Sequence, residues 1–283
     1  MPIVYLKRST PVARAYLPPI CSRIISSQCS RANAGEIDEL ERRWDNLVDR
    51  LGSESLPDFL RLHWNSRNAF VRHSELFKVI RNRITSAADV FTLLREMDED
   101  IDTYLALHQP AVSQWDADWQ RSAQELLLFS VRQPYPMLMA AKRRLSDADL
   151  GELLRASVVI SFRYNVIGSL HPGDQERVYN TVALAIHQGA ITTLAEAINA
   201  LRPIYRSDAA FRADFAEAAL KTTHGRKARI VRYILGRLEK QVSGQDFDTA
   251  SALYTIIARK RLGSVRQSRS GKLHFPAGQY GSD

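Results

Sequence analysis

Cysteine is nearly missing from this chain of 283 residues: the two present, Cys21 and Cys29, both fall within the first 31. The rest of the chain has no thiol for a disulfide framework or a cysteine-ligated zinc site, and a reducing, cytoplasmic setting fits. Long apolar runs are missing too. No stretch approaches the roughly 20 residues that a membrane-spanning helix needs, so no membrane partner is expected, and residues 1–31 have no apolar signal core. Alternating apolar and polar positions of the kind that mark strands are absent. So are a glycine-rich phosphate loop and a local signature for a Ser/His/Asp arrangement. The residues thus point to no catalytic group, no cofactor and no metal site.

Acidic residues are lacking at both ends. Residues 1–31 carry Lys7, Arg8, Arg14, Arg23 and Arg31 with no acid, a charge of +5, and residues 258–283 set six cations against Asp283, again +5. Since the whole chain is +8, the middle is −2. A generally basic, nucleic-acid-seeking body is therefore excluded, and the charge marks the tails. The first tail is also rich in Arg and Ser, as organelle leaders are, and such a leader would leave a mature chain starting near Ala32. Pro11, Pro18 and Pro19 work against the amphipathic helix that a leader would form.

Between the tails, helical periodicity dominates. Residues 36–51 place Ile37, Leu40, Trp44, Leu47, Val48 and Leu51 on one stripe, which Gly52 ends. Apolar segments follow over 56–70 and 74–84. A helix capped by Ser86 or Asp89 then carries Val90, Leu93, Leu94, Met97, Ile101, Tyr104 and Leu105 on one face. Further helices are expected over 115–131, 137–145, 150–164, 178–187, 191–201 and 208–220, broken by prolines and by the His171-Pro172-Gly173-Asp174 turn. The last, over 226–239, has Val231, Ile234, Leu235 and Leu238 on an apolar side, with Arg226, Arg229, Arg232 and Arg237 largely opposite. These patterns predict an all-α fold, a multi-helix bundle of roughly ten helices over residues 32–257 flanked by irregular basic tails at 1–31 and 258–283.

The seven histidines, His63, His73, His108, His171, His187, His224 and His274, include no pair at helical metal-ligand spacing. The acidic run Glu96, Asp98, Glu99, Asp100 and Asp102 offers carboxylates for magnesium or acid–base work, but Met97 and Ile101 claim the core side between them. A solvated helix face accounts for that run. The cations Arg226, Lys227, Arg229 and Arg232 are the candidate DNA-contacting group, with Lys142-Arg143-Arg144 elsewhere, because phosphates need only positive donors at suitable spacing. No aromatic residue is interleaved with them for base stacking, and an exposed helix face accounts for them equally.

The order of several short segments carries a resemblance: Trp64-Asn65-Ser66, Glu75-Leu76-Phe77-Lys78, Tyr104-Leu105-Ala106-Leu107, Phe162-Arg163-Tyr164, Glu176-Arg177-Val178-Tyr179, residues 205–211, and residues 227–235. Together, over about residues 36–256, they resemble the helical middle of GmrSD-like restriction endonucleases, a type IV, modification-dependent family. That resemblance implies a phage-defence setting with DNA and other restriction-system chains or domains as partners. Each segment is loose alone, and the specificity lies in their order. The family's ParB-like Asp-Gly-Gln-Gln-Arg motif is absent. Tyr254-Thr255-Ile256, which in the family leads into the HNH motif Glu-His-Ile-Leu-Pro, continues here as Ile257-Ala258-Arg259-Lys260. The histidine and metal ligands of HNH chemistry have no matching positions.

The tails fit the same family in another reading frame. Back-translating residues 4–29 and shifting by two bases permits IFETLNARGACLSATDLLKNYLFSVF, which resembles the family segment just upstream of Glu36. In that shift the observed residues fix the last two bases of each new codon, so the match is not freely chosen. A one-base shift from Arg259 onward permits a stretch resembling part of the family's nuclease domain. The expectation is a truncated or frameshifted remnant comprising the helical linker region, without activity of its own. The alternative is a stand-alone helical module that binds DNA or a partner through Arg226, Lys227, Arg229 and Arg232.

Overall fold

A computed structural model of the chain describes residues 34–221 and 225–243, together with two short strands at 266–267 and 272–274. The residues expected to form the first tail, and Tyr254-Thr255-Ile256, lie outside the described residues. The fold is all-α, with eleven α-helices among the described residues. They are α1 (Ala34–Leu51), α2 (Leu56–Asn65), α3 (His73–Arg83), α4 (Ala87–His108), α5 (Ala117–Phe129) and α6 (Tyr135–Arg144). These are followed by α7 (Asp147–Ser161), α8 (Pro172–His187), α9 (Leu194–Ala200), α10 (Asp208–Glu217) and α11 (Gly225–Ser243). No helix among the described residues is long and apolar enough to cross a membrane.

Local chemistry sets the boundaries. Ser86 caps α4 by accepting from the Asp89 backbone N–H while the Asp89 carboxylate accepts from that of Ser86, so the two residues act together as a capping box. Thr193 and Glu196 do the same for α9. Asp116, Ser146 and Ser207 cap α5, α7 and α10. Gly52 ends α1 with φ +61°, a left-handed conformation that favours a residue without Cβ. The Pro134-Tyr135-Pro136 sequence, which breaks the preceding helix, starts the next one: Pro134 is the N-cap of α6 and Pro136 lies in its first turn, where no intrahelical donor is required.

α6 is the axis of the bundle. Tyr135, Met137, Leu138, Met139, Ala140 and Ala141 are all fully buried, so this helix is enclosed on every side by α2, α4, α7 and α8. Met and Ala suit the place, one filling irregular gaps and the other allowing close approach. α1 packs on α4 through Leu40, Trp44, Leu47 and Leu51, and α5 packs between α4 and α7. Two features depart from simple α-helix. Residues Phe162–Ile167 continue α7 as a π-helix, where sequence periodicity predicts a regular helix that ends at Tyr164. A small antiparallel ladder pairs β1 (Leu220–Lys221) with β3 (Lys272–His274), which also pairs with β2 (Arg266–Gln267).

Candidate functional site

The four cations suggested by sequence lie together on α11. Arg226, Lys227 and Arg229 are exposed and Arg232 is partly so; Arg226, Arg229 and Arg232 share one side of α11, whereas Lys227 stands in the first turn above the docked side, where Ala228, Ile230, Val231, Ile234 and Leu235 are buried. Among the described residues none of the four takes part in an ion pair. Arg226 and Arg232 are six residues apart, which along a helix is about 9 Å. The face can meet phosphate groups through its guanidinium and ammonium donors.

What seats α11 is a seam with α5. The ring of Tyr233 packs edge-on against Phe129 at 5.3 Å and lies 6.0 Å from Phe162. Its hydroxyl donates to Glu125 Oε2 at 3.3 Å, and Arg237 pairs with the same carboxylate while stacking over the Tyr233 ring. Burial pushes the Glu125 carboxyl above its ordinary range, and the Arg237 charge only partly offsets this. Arg237 therefore differs from its neighbours, being committed to a seam within the fold.

The acidic run is not a uniformly solvated face, which corrects the expectation from sequence. Asp98 and Asp102 both bind Arg50 of α1, the latter at 2.8 Å, and Glu99 binds Arg67 at 2.9 Å. Asp100 points inward and is 1% exposed. Its Oδ2 accepts from His63 Nδ1 of α2 at 2.6 Å and from Arg67 Nε at 3.3 Å, and its Oδ1 accepts from Arg143 of α6. An ionised carboxylate only accepts, so the hydrogen of His63 sits on Nδ1. Burial alone would raise the Asp100 pKa; the His63 hydrogen bond and charge, with Arg143 and Arg67, outweigh it and hold the carboxyl below its ordinary range.

Arg143, placed by sequence in a candidate phosphate-contacting group, is thus an internal residue. It also donates to the carbonyl and hydroxyl of Ser66, at 3.0 and 3.2 Å. Asn65 exchanges hydrogen bonds with the Val71 backbone at 2.9 and 3.2 Å, and Asn180 of α8 donates to the carbonyls of Asn65 and Asn68. The Trp64-Asn65-Ser66 segment is therefore where α2, α4, α6 and α8 are tied together. Both oxygens of Asp100 accept from cations or an imidazole N–H, so the cluster locks helices together.

Two further histidines have structural partners. His108 lies between Tyr104 and Tyr135, with ring centroids 4.0 and 5.1 Å away, and its Nδ1–H donates to the Tyr104 carbonyl at 3.0 Å. Burial lowers its pKa. His171 caps α8 by accepting from the Gly173 N–H at 3.1 Å. Among the described residues no group of three or more His, Cys, Asp or Glu side chains is arranged to hold a metal ion. A surface cleft of about 910 Å³ opens between α1, the end of α4 and the 109–115 turn, lined by Arg50, Asp102, Gln109, Trp115 and Lys142 among others. Its cations are already paired: Arg50 as above, and Lys142 with Asp147 at 2.7 Å while it also sits 5.3 Å above the Trp119 ring.

Neither the Asp100 cluster nor the Glu125 seam had a signal in the sequence. Their partners stand 33 to 112 residues apart, and nothing local marks which carboxylate turns inward. No family model matches the chain, and no curated protein matches it.

Proposed function

We propose that about residues 36–256 are the helical, non-catalytic region of a GmrSD-like restriction endonuclease, carried here in a truncated or frameshifted product without nuclease activity of its own. The observation that supports this reading is where the resembling segments fall. Trp64, Asn65 and Ser66 are buried at the junction of four helices; Leu76, Tyr104, Ala106, Leu107 and Tyr179 are buried; Ile230, Val231, Ile234 and Leu235 form the docked side of α11. Segments that are loose as motifs are thus tied by their role as helix contacts, which is what a shared helical scaffold would keep. A cytoplasmic setting belongs to the same reading.

Translating the coding DNA and its flanks in all three frames tests it. Frames that restore the LNARG-type segment upstream and an HNH nuclease downstream are expected. A clean gene with no such frames, or metal-dependent cleavage of DNA by the purified 283-residue chain, would overturn it.

A second reading is favoured by one specific feature, the run of exposed cations on α11: a binding module for the DNA backbone. Four phosphate contacts correspond to a slope of about −3.6 in log K against log salt. The double variant Arg229→Glu, Arg232→Glu should then lose retention on duplex DNA at low salt while keeping its helical circular dichroism. Unchanged retention would eliminate this reading.

A further inference from the structure

The cleft between α1, the end of α4 and the 109–115 turn measures about 910 Å³, within the size range of sites that hold small molecules. Part of its lining is apolar: Val48, Leu105 and Val112 contribute, and Val112 is 78% exposed. Half-buried Trp115 also lines it, edge-on to Trp119 at 5.5 Å. Lys142 sits over the Trp119 ring, whereas no cation among the described residues covers that of Trp115. Charge in the cleft is one-sided. Its two cations, Arg50 and Lys142, meet five carboxylates once the groups bonded to the lining are included: Asp49 and Asp102 in the lining, Asp98 beside Arg50, Asp147 beside Lys142, and Glu54, which accepts from Gln109 at 2.9 Å. The excess is three negative charges. Asp49 is exposed and has no ion-pair partner among the described residues, and Asp98 and Asp102 share the one guanidinium of Arg50. Next to Asp102, Thr103 lines the cleft and is 7% exposed, and its hydroxyl has no hydrogen-bonding partner among the described residues.

From this arrangement we infer that the cleft binds a primary ammonium group carried on an apolar stem, the chemistry of a lysine side chain in a peptide or of a free alkylamine. A cleft with an excess of one charge concentrates ions of the other sign. An anion is disfavoured, because Arg50 and Lys142 are already paired and the remaining charge is carboxylate. An ammonium donates three hydrogen bonds and accepts none, and the carboxylates of Asp49 and Asp102 with the Thr103 hydroxyl supply acceptors on α1 and α4. The indole is the ring that attracts a cation most strongly, and Lys142 over Trp119 is an instance of that contact within this fold. Trp115 offers a second indole in the cleft itself. An aliphatic stem of the lysine type lies along apolar surface while its charged head stays wet, and Val48, Leu105 and Val112 provide that surface.

Nuclear magnetic resonance of the full chain labelled with nitrogen-15 tests the inference, with the Trp115 indole signal assigned from Trp115→Phe. The probes are hexylammonium and an acetylated tetrapeptide amide of alternating leucine and lysine; hexanoate is the control. Both probes should shift the Trp115 signal with a Kd of about 1 mM or tighter, and hexanoate should not. The signals of Trp44 and Trp64, which are buried in the core, should stay in place. Tighter binding of the peptide identifies a peptide segment as the source of the ammonium, and equal or tighter binding of hexylammonium a free amine. The double variant Asp49→Asn, Asp102→Asn changes two exposed side chains and should keep the fold. It should weaken binding roughly tenfold, as the loss of two solvent-screened charges at contact distance implies. No shift of Trp115 with either probe at about 10 mM, an equal response to hexanoate, or unchanged affinity in the folded double variant would overturn the inference.

Discussion

Removal of the Asp100 carboxylate is the sharpest test of the packing described above. In Asp100→Ala, the guanidinium groups of Arg67 and Arg143, whose side chains are only 8% and 12% exposed, lose their shared counter-charge, and His63 Nδ1 loses its acceptor. Deleting one member of a buried ion pair leaves an uncompensated charge and costs about 3–5 kcal/mol. That is a large share of the about 5–15 kcal/mol that holds an ordinary domain together. The control is Asp102→Ala, two residues along the same helix. Asp102 pairs with Arg50 at 2.8 Å but is 81% exposed, so its loss should cost less than about 1 kcal/mol. Urea unfolding at neutral pH, followed by far-UV circular dichroism, measures both; the midpoint should move far for the first and little for the second with similar slopes. The pH dependence follows from the same contact. Because the folded-state pKa of Asp100 lies below its ordinary 3.8, its contribution is fully present above that value and is lost as pH falls through the folded-state pKa. A cost below about 1 kcal/mol for Asp100→Ala would refute the buried network, since desolvated cations cannot lose their partner so cheaply.

Three further outcomes are expected. His108, whose pKa burial lowers, favours folding only when neutral, so its contribution should decline as pH falls below its ordinary 6.5; the stability difference between wild type and His108→Phe should narrow or reverse between pH 7 and 5 in urea melts. Glu125 shifts the other way: its raised folded-state pKa means that its ionisation opposes folding as pH rises through that value, so Glu125→Gln should lie within about 1 kcal/mol of wild type near neutrality, whereas a loss of 3 kcal/mol or more would show that the Arg237 pair outweighs desolvation. At Gly151 in α7, an added Cβ would stand 2.7 Å from Trp119 Nε1. Gly151→Ala should therefore destabilise by about 1–3 kcal/mol despite alanine's helix preference of about 1 kcal/mol, with a shift in tryptophan emission; a more stable variant with unchanged emission would show that the indole moves freely.

Legibility from sequence divides by the kind of signal. Helices with one apolar stripe were plain: Leu40, Trp44, Leu47 and Leu51 are buried on α1, and Val90, Leu94, Met97, Ile101 and Tyr104 are buried on α4, as their spacing implies. Ser86 and Asp89, read as alternative caps, are two halves of one capping box. The stretch that stands out most by pattern, 226–239, does form a docked basic helix, yet the centre of the fold is α6. A helix enclosed on all sides shows no amphipathic contrast, and Pro134 and Pro136 made its start look like an interruption. The candidate cations Arg226, Lys227, Arg229 and Arg232 could be placed on one helix by periodicity, but that Arg237 is committed to Glu125 could not, because the partner is 112 residues away.

The amino-acid sequence by itself determined the all-helical class, most helix boundaries and the apolar side of each surface helix, because these rest on interactions within a few residues: spacing of apolar side chains, caps and prolines. Only the tertiary structure decided which of five neighbouring acids is buried and that Arg143 is an internal residue beside a still exposed Arg144. Those outcomes depend on which helix faces which. The sign of a charge and its place along the chain carry no information about its dielectric surroundings until the other helices have closed around it.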